Sequence, residues 1–223
     1  VAGEWLRTEL LQRGITRVEA VPFGIDHRGF GRERRSSRLR NELLGDGSDA
    51  TDGCLVGVVG RLAVEKRQRL LVDAAAMLAR SRPVTLLVLG DGPERERLRA
   101  RAAEQGLRCH FWPFTHSREH YAEVLASLDV LLHGSRCETY GFVLVEALAS
   151  GTPVVVPDEG GAAHAGDTSC SELYPSHAGA AGIAAAALRL LERRRDVVSA
   201  SACAAAARHP SRTEHFERLF ELY

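Results

Sequence analysis

In this 223-residue chain, Gly60-Arg61-Leu62-Ala63-Val64-Glu65-Lys66 follows an apolar run. A glycine ends the run, and Arg61 and Lys66 stand five positions apart at the start of what reads as a helix. The 29 basic residues include one lysine, Lys66. Arginine is the default cation of this chain, so a compact ammonium kept at this one place points to a specific use. A helix N-terminus is already positive. Two cations crowded there suggest an anion shared with the helix N–H groups. The bland alternative is an exposed Glu65–Lys66 pair, which would contribute little.

The second candidate is Cys137-Glu138-Thr139-Tyr140-Gly141-Phe142-Val143-Leu144-Val145-Glu146. The helix expected from Gly141 is almost wholly apolar, and the i±3 and i±4 neighbours of Glu146 are Val143, Ala149, Phe142 and Ser150. A carboxylate in those surroundings needs hydrogen-bond donors. Glu138 stands in the loop before the helix, so both carboxylates are expected to face one crevice. The free N–H groups of Tyr140, Gly141, Phe142 and Val143 add anion-binding capacity.

Other motifs carry less. Gly90-Asp91-Gly92-Pro93 lacks the third glycine of a dinucleotide fingerprint, and no Gly-Lys pair supplies a phosphate-loop lysine. What remains there is a tight turn whose glycines would let a ligand approach the backbone. His116-Ser117-Arg118-Glu119-His120 fits a two-histidine metal motif only by pattern, with no third ligand, and reads better as two solvated histidines. Cys137 has no neighbour in sequence that would activate a thiol.

The elements that must position these residues alternate. Strands are expected at Cys54 to Val59, Val84 to Leu89, Arg108 to Trp112, Val130 to His133 and Val154 to Val156. Between them come helices at Glu65 to Arg80, with a stripe at Leu70, Leu71, Ala74, Met77 and Leu78, then Pro93 to Gln105, Glu119 to Ser127 and Gly141 to Ser150. Alanine-rich residues 178–207 read as helix broken once or twice, and Thr213 to Tyr223 as an amphipathic helix with Phe216, Leu219, Phe220 and Tyr223 on one side. Ahead of the first strand lie a short helix stopped by Gly14, an extended piece from Val18 to Val21 and a turn at Pro22-Phe23-Gly24-Ile25-Asp26. Residues 28–40, with six arginines against Glu33, read as a solvated, mobile helix or loop, and 45–53 as a breaker-rich loop. Short apolar strands alternating with helices mean an α/β fold, a Rossmann-like parallel sheet with helices on both faces. Such sheets bind ligands beyond the carboxyl ends of their strands.

Composition excludes several classes. At 45% hydrophobic and 26% charged residues the chain can build a core, so it is not disordered. No apolar run approaches the ~20 residues that span a bilayer. A net charge of zero gives no global field for nucleic acid. Five scattered cysteines suggest neither a zinc cage nor a disulfide framework and fit a reducing, cytoplasmic compartment. The chain opens at Val1, and its one methionine is Met77. A piece of a longer or processed protein is therefore expected.

Taken in order, these motifs resemble a known family. Glu138 and Glu146, with seven residues between them, resemble the paired glutamates of retaining glycosyltransferases of the GT-B fold, family 4. Gly60-Arg61…Glu65-Lys66, Gly90-Asp91-Gly92-Pro93-Glu94-Arg95, Ser135 to Gly141 and Glu146 to Val155 are similar to that family in order and spacing, and Pro22 to Asp26 resembles its interdomain linker. The resemblance implies two Rossmann-like domains across a cleft, of which this chain is the C-terminal, donor-binding half. It implies that residues 1–50 are the end of a preceding domain and a linker, 51–207 the donor domain, and 208–223 a helix crossing back to an N-terminal acceptor domain absent from this chain.

By the same resemblance, Arg61 and Lys66 neutralise the diphosphate of a UDP- or GDP-linked sugar donor. Gly60 and Gly90 line the site, Glu146 accepts the ribose hydroxyls and Glu138 lies beside the sugar. Tyr140, Gly141, Phe142 and Val143 hold phosphate and sugar oxygens through N–H groups, and Pro113 and Phe114 border the base. No metal or cofactor is implied. Transfer goes to a glycan, lipid or small-molecule acceptor with retention. Some positions depart from the family: Arg67 stands where a glycine often follows the lysine, His133-Gly134 replaces a small-residue or Pro-Ser entry to the glutamate loop, and His164 replaces a glutamate. A glycosidase pair or an epimerase of related fold fits the cations and spacing less well. A degenerate module that binds a nucleotide or a protein without catalysis is the alternative reading. An exposed cleft face is expected to favour a homodimer, and the acceptor half leaves room for peripheral contact with the inner membrane face.

Overall fold

A computed structural model describes residues 1–45, 53–115 and 117–222. Six short strands form one sheet: β1 (Cys54–Val59), β2 (Val84–Leu89), β3 (Cys109–Trp112), β4 (Val130–Leu132), β5 (Val154–Pro157) and β6 (Ser171–Tyr174). The order is β3-β2-β1-β4-β5-β6 and every pairing is parallel. A parallel sheet must be covered on both faces, which is why its strands lack polar alternation. Along β2, Leu87 and Leu89 join one apolar cluster while Leu86 and Val88 join the other. The fold is the Rossmann-like α/β sheet that the sequence predicts.

The helices follow the strands. They are α1 (Glu4–Gln12), α2 (Ser37–Leu44), α3 (Gln68–Leu78), α4 (Arg95–Glu104), α5 (Arg118–Ser127), α6 (Phe142–Ala149), α7 (Gly179–Leu191), α8 (Arg195–Ala206) and α9 (Arg212–Phe220). Leu71, Ala74 and Leu78 of α3 are buried as expected, but Met77 is 36% exposed. The helix expected from Glu65 is interrupted. Val64–Lys66 is a 3-10 turn, Arg67 adopts left-handed backbone at φ 55°, and α3 starts only at Gln68. Pro93 likewise precedes α4 rather than opening it. The alanine-rich stretch breaks once, between Leu191 and Arg195. The edge strand β6 is absent from the sequence reading, because Ser-Glu-Leu-Tyr is only half apolar. The predicted 45–53 loop, His116 and Tyr223 fall wholly or largely outside the described residues.

The arginine-rich segment 28–40 is solvated only in part: Arg28, Arg32 and Arg38 are exposed, but Arg35 and Arg40 are not. Arg35 Nη2 and Arg40 Nη1 each lie 2.9 Å from a carboxylate oxygen of Asp129, just before β4, and Arg195 at the start of α8 pairs with the same group. The N–H of Leu55 donates to Asp129 at 2.8 Å. Leu39, Leu43 and Leu44 bury the apolar face of α2 beside it. Burial pushes the Asp129 carboxyl up, but Arg40, Arg195 and Arg35 outweigh it and leave it below the usual range. Burial also lowers Arg35 to about 10, against the pull of Asp129. One carboxylate thus ties the segment before α2, α2 itself, β1 and α8 to the amino-terminal edge of the sheet.

Asp129→Asn leaves three guanidinium groups crowded without a counter-charge. We expect a loss of about 3 kcal/mol, the scale for breaking a buried ion pair, read as a fall in the urea midpoint at unchanged m-value.

Candidate active site

Strand order reverses at β1 and β4, which pair directly while their connections run to opposite sides of the sheet. A crevice opens beyond the carboxyl ends at such a switch point. Gly60 leaves β1 and His133 leaves β4 on its two sides, so the loops holding Arg61, Lys66 and Glu138 meet there.

On the β1 side, Gln68, 4% exposed, donates its Nε2 to the carbonyl of Arg61 at 2.6 Å and fixes that loop. Arg61 and Lys66 do not converge on one point. Arg61 pairs with Glu65 and is 68% exposed, whereas Lys66 Nζ lies 2.8 Å from Glu138 Oε2, with side chains 29% and 19% exposed. The Glu65–Lys66 surface pair does not form either. At Gly90 a Cβ would collide with the carbonyl oxygen of Gly60, so the chain itself passes close to this glycine. The N–H of Gly60 donates to Leu89 O and that of Leu62 to Asp91 O, which locks the two loops together.

On the β4 side, the chain passes Gly134, where a Cβ would lie 2.6 Å from the carbonyl oxygen of Lys66. Only a glycine lets the lysine loop come this close. The loop then returns, and Glu138 O accepts the N–H of Gly161 at 2.7 Å. His133, 6% exposed, brings Nε2 to 3.3 Å from Glu138 Oε2, though off the axis of a good hydrogen bond. The His133 ring and the Lys66 ammonium together hold the Glu138 carboxyl down at about 2, against the opposing effect of burial. The sequence flags His133 only as a departure from the family pattern; its contact with Glu138 needs the fold.

Helix α6 starts from Gly141, in left-handed backbone with no side-chain cap. The N–H groups of Tyr140, Gly141, Phe142 and Val143 have no backbone partner among the described residues. They are free to meet an anion at the crevice. The Tyr140 side chain is spent on structure: its hydroxyl donates to Phe23 O and lies 3.0 Å from His209 Nδ1. Phe142, 45% exposed, stacks on Phe23 with centroids 5.1 Å apart.

Glu146 sits one turn into α6. Burial raises its carboxyl above the usual range, and the Tyr121 hydroxyl donates to Oε2 at 3.0 Å. Tyr121, from α5, is a second residue the sequence does not reveal. The exposed ring of Phe114 lies against it at 5.4 Å, so the segment Pro113-Phe114 after β3 borders the Glu146 end of the crevice. The site therefore has two ends: a cation–carboxylate cluster at Lys66, Glu138 and His133, and an aromatic and carboxylate end at Phe114, Tyr121 and Glu146. Among the described residues no group of three or more His, Cys, Asp and Glu could hold a metal ion.

Comparison with known proteins decides the family. A family model, "Glycosyl transferases group 1", matches residues 53–193. The chain belongs to this family. It is 39% identical over 154 residues to a GDP-mannose-dependent alpha-mannosyltransferase of Mycobacterium tuberculosis, covering 68% of this chain and 36% of that one. It is also 39% identical over 148 residues to a 2-deoxystreptamine glucosyltransferase of Streptomyces kanamyceticus, covering 65% and 37%. The chain thus spans little more than a third of the length of these relatives. In fold it is similar to HepE of Anabaena solved in complex with UDP, with a TM-score of 0.82 at 23% identity, covering 100% of this chain and 62% of that one. The GT-B assignment of this group 1 glycosyltransferase chain agrees with that fold.

The Lys66–Glu138 pair should give stability a specific pH signature. Glu138 falls from an ordinary 4.5 to about 2 on folding. A depressed carboxylate stabilises fully above its unfolded pKa, and that contribution fades as pH drops toward the folded value. Wild type should therefore lose up to about 3 kcal/mol relative to Glu138→Gln between pH 4.5 and pH 2, measured as the difference of their urea unfolding free energies at each pH.

Proposed function

We propose that this chain is the donor-binding half of a glycosyltransferase. The crevice holds a nucleotide-diphosphate sugar, UDP- or GDP-linked, and with an acceptor domain the sugar passes to a glycan, lipid or small-molecule acceptor with retention and without a metal. Residues 51–207 form the donor domain, 1–50 the end of a preceding domain and linker, and 208–223 the helix that crosses back. One observation carries the reading: the chain's single lysine meets Glu138 at the switch point, beside the uncapped start of α6.

An anionic diphosphate gives Lys66 a stronger partner than one carboxylate. Lys66 turns to it, Arg61 leaves its exposed contact with Glu65 to join, and the N–H groups at the start of α6 complete the cradle. These groups oppose charge that develops on the departing diphosphate. Glu138 is left beside the sugar, and Glu146, steadied by Tyr121, accepts the ribose hydroxyls with the base against Phe114. The name of the mycobacterial mannosyltransferase supports a GDP-linked donor and the HepE complex a UDP-linked one. Among the described residues no helix is long and apolar enough to cross a membrane.

Calorimetric titration of the chain with UDP, GDP and ADP, without metal, tests the reading. One nucleotide should bind, and Lys66→Ala should weaken it at least tenfold, the scale of a lost charge-assisted hydrogen bond of about 1.5–3 kcal/mol. A folded chain that binds none of the three leaves a degenerate, non-catalytic module as the better account.

A further inference from the structure

His133 is the polar group of the crevice whose task the donor-binding reading leaves open. It is 6% exposed, and Nε2 is buried without a well-aligned hydrogen-bond partner. Its backbone is pinned from both sides: its N–H donates to Val155 O at 2.9 Å, and its carbonyl accepts the hydroxyl of Tyr174, itself 1% exposed, at 2.9 Å. The ring is therefore held where it is, 3.3 Å from the Glu138 oxygen that Lys66 occupies.

Resting on the donor-binding reading, we propose that His133 takes up a proton when the crevice captures a diphosphate, replacing Lys66 as the counter-ion of Glu138. Lys66 cannot give its full charge to a phosphate while it neutralises Glu138. Its departure would strand a largely buried carboxylate, which is strongly unfavourable. The imidazole is the adjacent group able to supply the missing charge, since an imidazole ring can carry a second proton and a carboxylate partner favours the charged form. The proton comes from solvent and completes the imidazolium, whose Nε2–H faces Oε2. His133 is thus a positioning residue that lets one lysine serve two anions in turn.

The surroundings leave this exchange to three groups. Glu138 is the charged group beside the ring, and Lys66 reaches the same Glu138 oxygen. Arg67 packs its Cβ toward Gly134; its Nη2 donates to Ser176 O at 3.0 Å, while its Nη1 is buried without a hydrogen-bond partner. Asp158, after β5, accepts the N–H of Ser176 at 2.9 Å. Beside β4, the neighbouring strand and α7 contribute Val155, Ile183 and Ala187, and β6 contributes the uncharged Tyr174.

The test is calorimetry with UDP-glucose and GDP-mannose, whose diphosphates have no group titrating near neutrality, in buffers of different ionisation enthalpy at pH 7.5. Wild type should take up as much as about one proton per ligand, with affinity falling by up to tenfold per pH unit above neutrality. His133→Gln keeps a hydrogen-bond donor but cannot take the proton, and should bind with no uptake and a flat pH profile. Should that variant fail to fold, the imidazole Cε1–Hε1 resonances of wild type read the same event, and one ring should move to the imidazolium position on binding. Binding without proton uptake, uptake undiminished in His133→Gln, or no ring shift overturns the proposal and leaves the donor-binding reading intact. A folded wild type that binds neither sugar nucleotide overturns both.

Discussion

Lys66 and Glu138, 72 residues apart in sequence, neutralise each other across the crevice between β1 and β4. Each loop is shaped by that meeting. Gly134 is small because the lysine carbonyl passes it, Arg67 accepts left-handed backbone so that α3 can start beyond Lys66, and Gly161 holds the carbonyl of Glu138 from the far side. The pair is partly buried, so it is costly to leave unmade yet reachable by a ligand. Those are the properties a site needs if its resting state must be stable and its loaded state must differ.

The sheet divides stabilisation from chemistry. Its carboxyl end carries the crevice, where Lys66 and His133 both meet one oxygen of Glu138. Its amino-terminal edge carries Asp129, whose carboxylate gathers three arginines and an amide N–H from four separate segments. Between these ends the central strands β1, β4 and β5 carry no polar side chain and contribute packing and their ladder hydrogen bonds. A rigid base of this kind lets the loops at the other end rearrange about a ligand without loosening the core.

Much of this was legible in the residues. Parallel strands buried on both faces leave unbroken apolar runs, and the runs at 54–59 and 84–89 could be read to the residue. β6 could not, because Ser171 and Glu172 interrupt the apolar run and Leu173 faces solvent at this edge. Arg35 and Arg40 were misread because charge runs are commonly solvated, and only the pairing of β1 with β4 brings Asp129 near them. The same limit applies at the crevice. Lys66, Glu138 and Glu146 stand out by type and spacing, but the partners that set their electrostatics, His133 and Tyr121, come from other elements. Sequence names the charges; the strand order decides which of them meet.

The most direct test of the central claim, that an anionic donor displaces Glu138 from Lys66, is a crystal structure of the chain with the nucleoside diphosphate that binds it. The account predicts Lys66 Nζ within about 3 Å of a phosphate oxygen, with the phosphates beside the first N–H groups of α6 and the His133 ring turned onto Glu138. A nucleotide seated elsewhere, or one bound in the crevice with the Lys66–Glu138 pair unchanged, would contradict it.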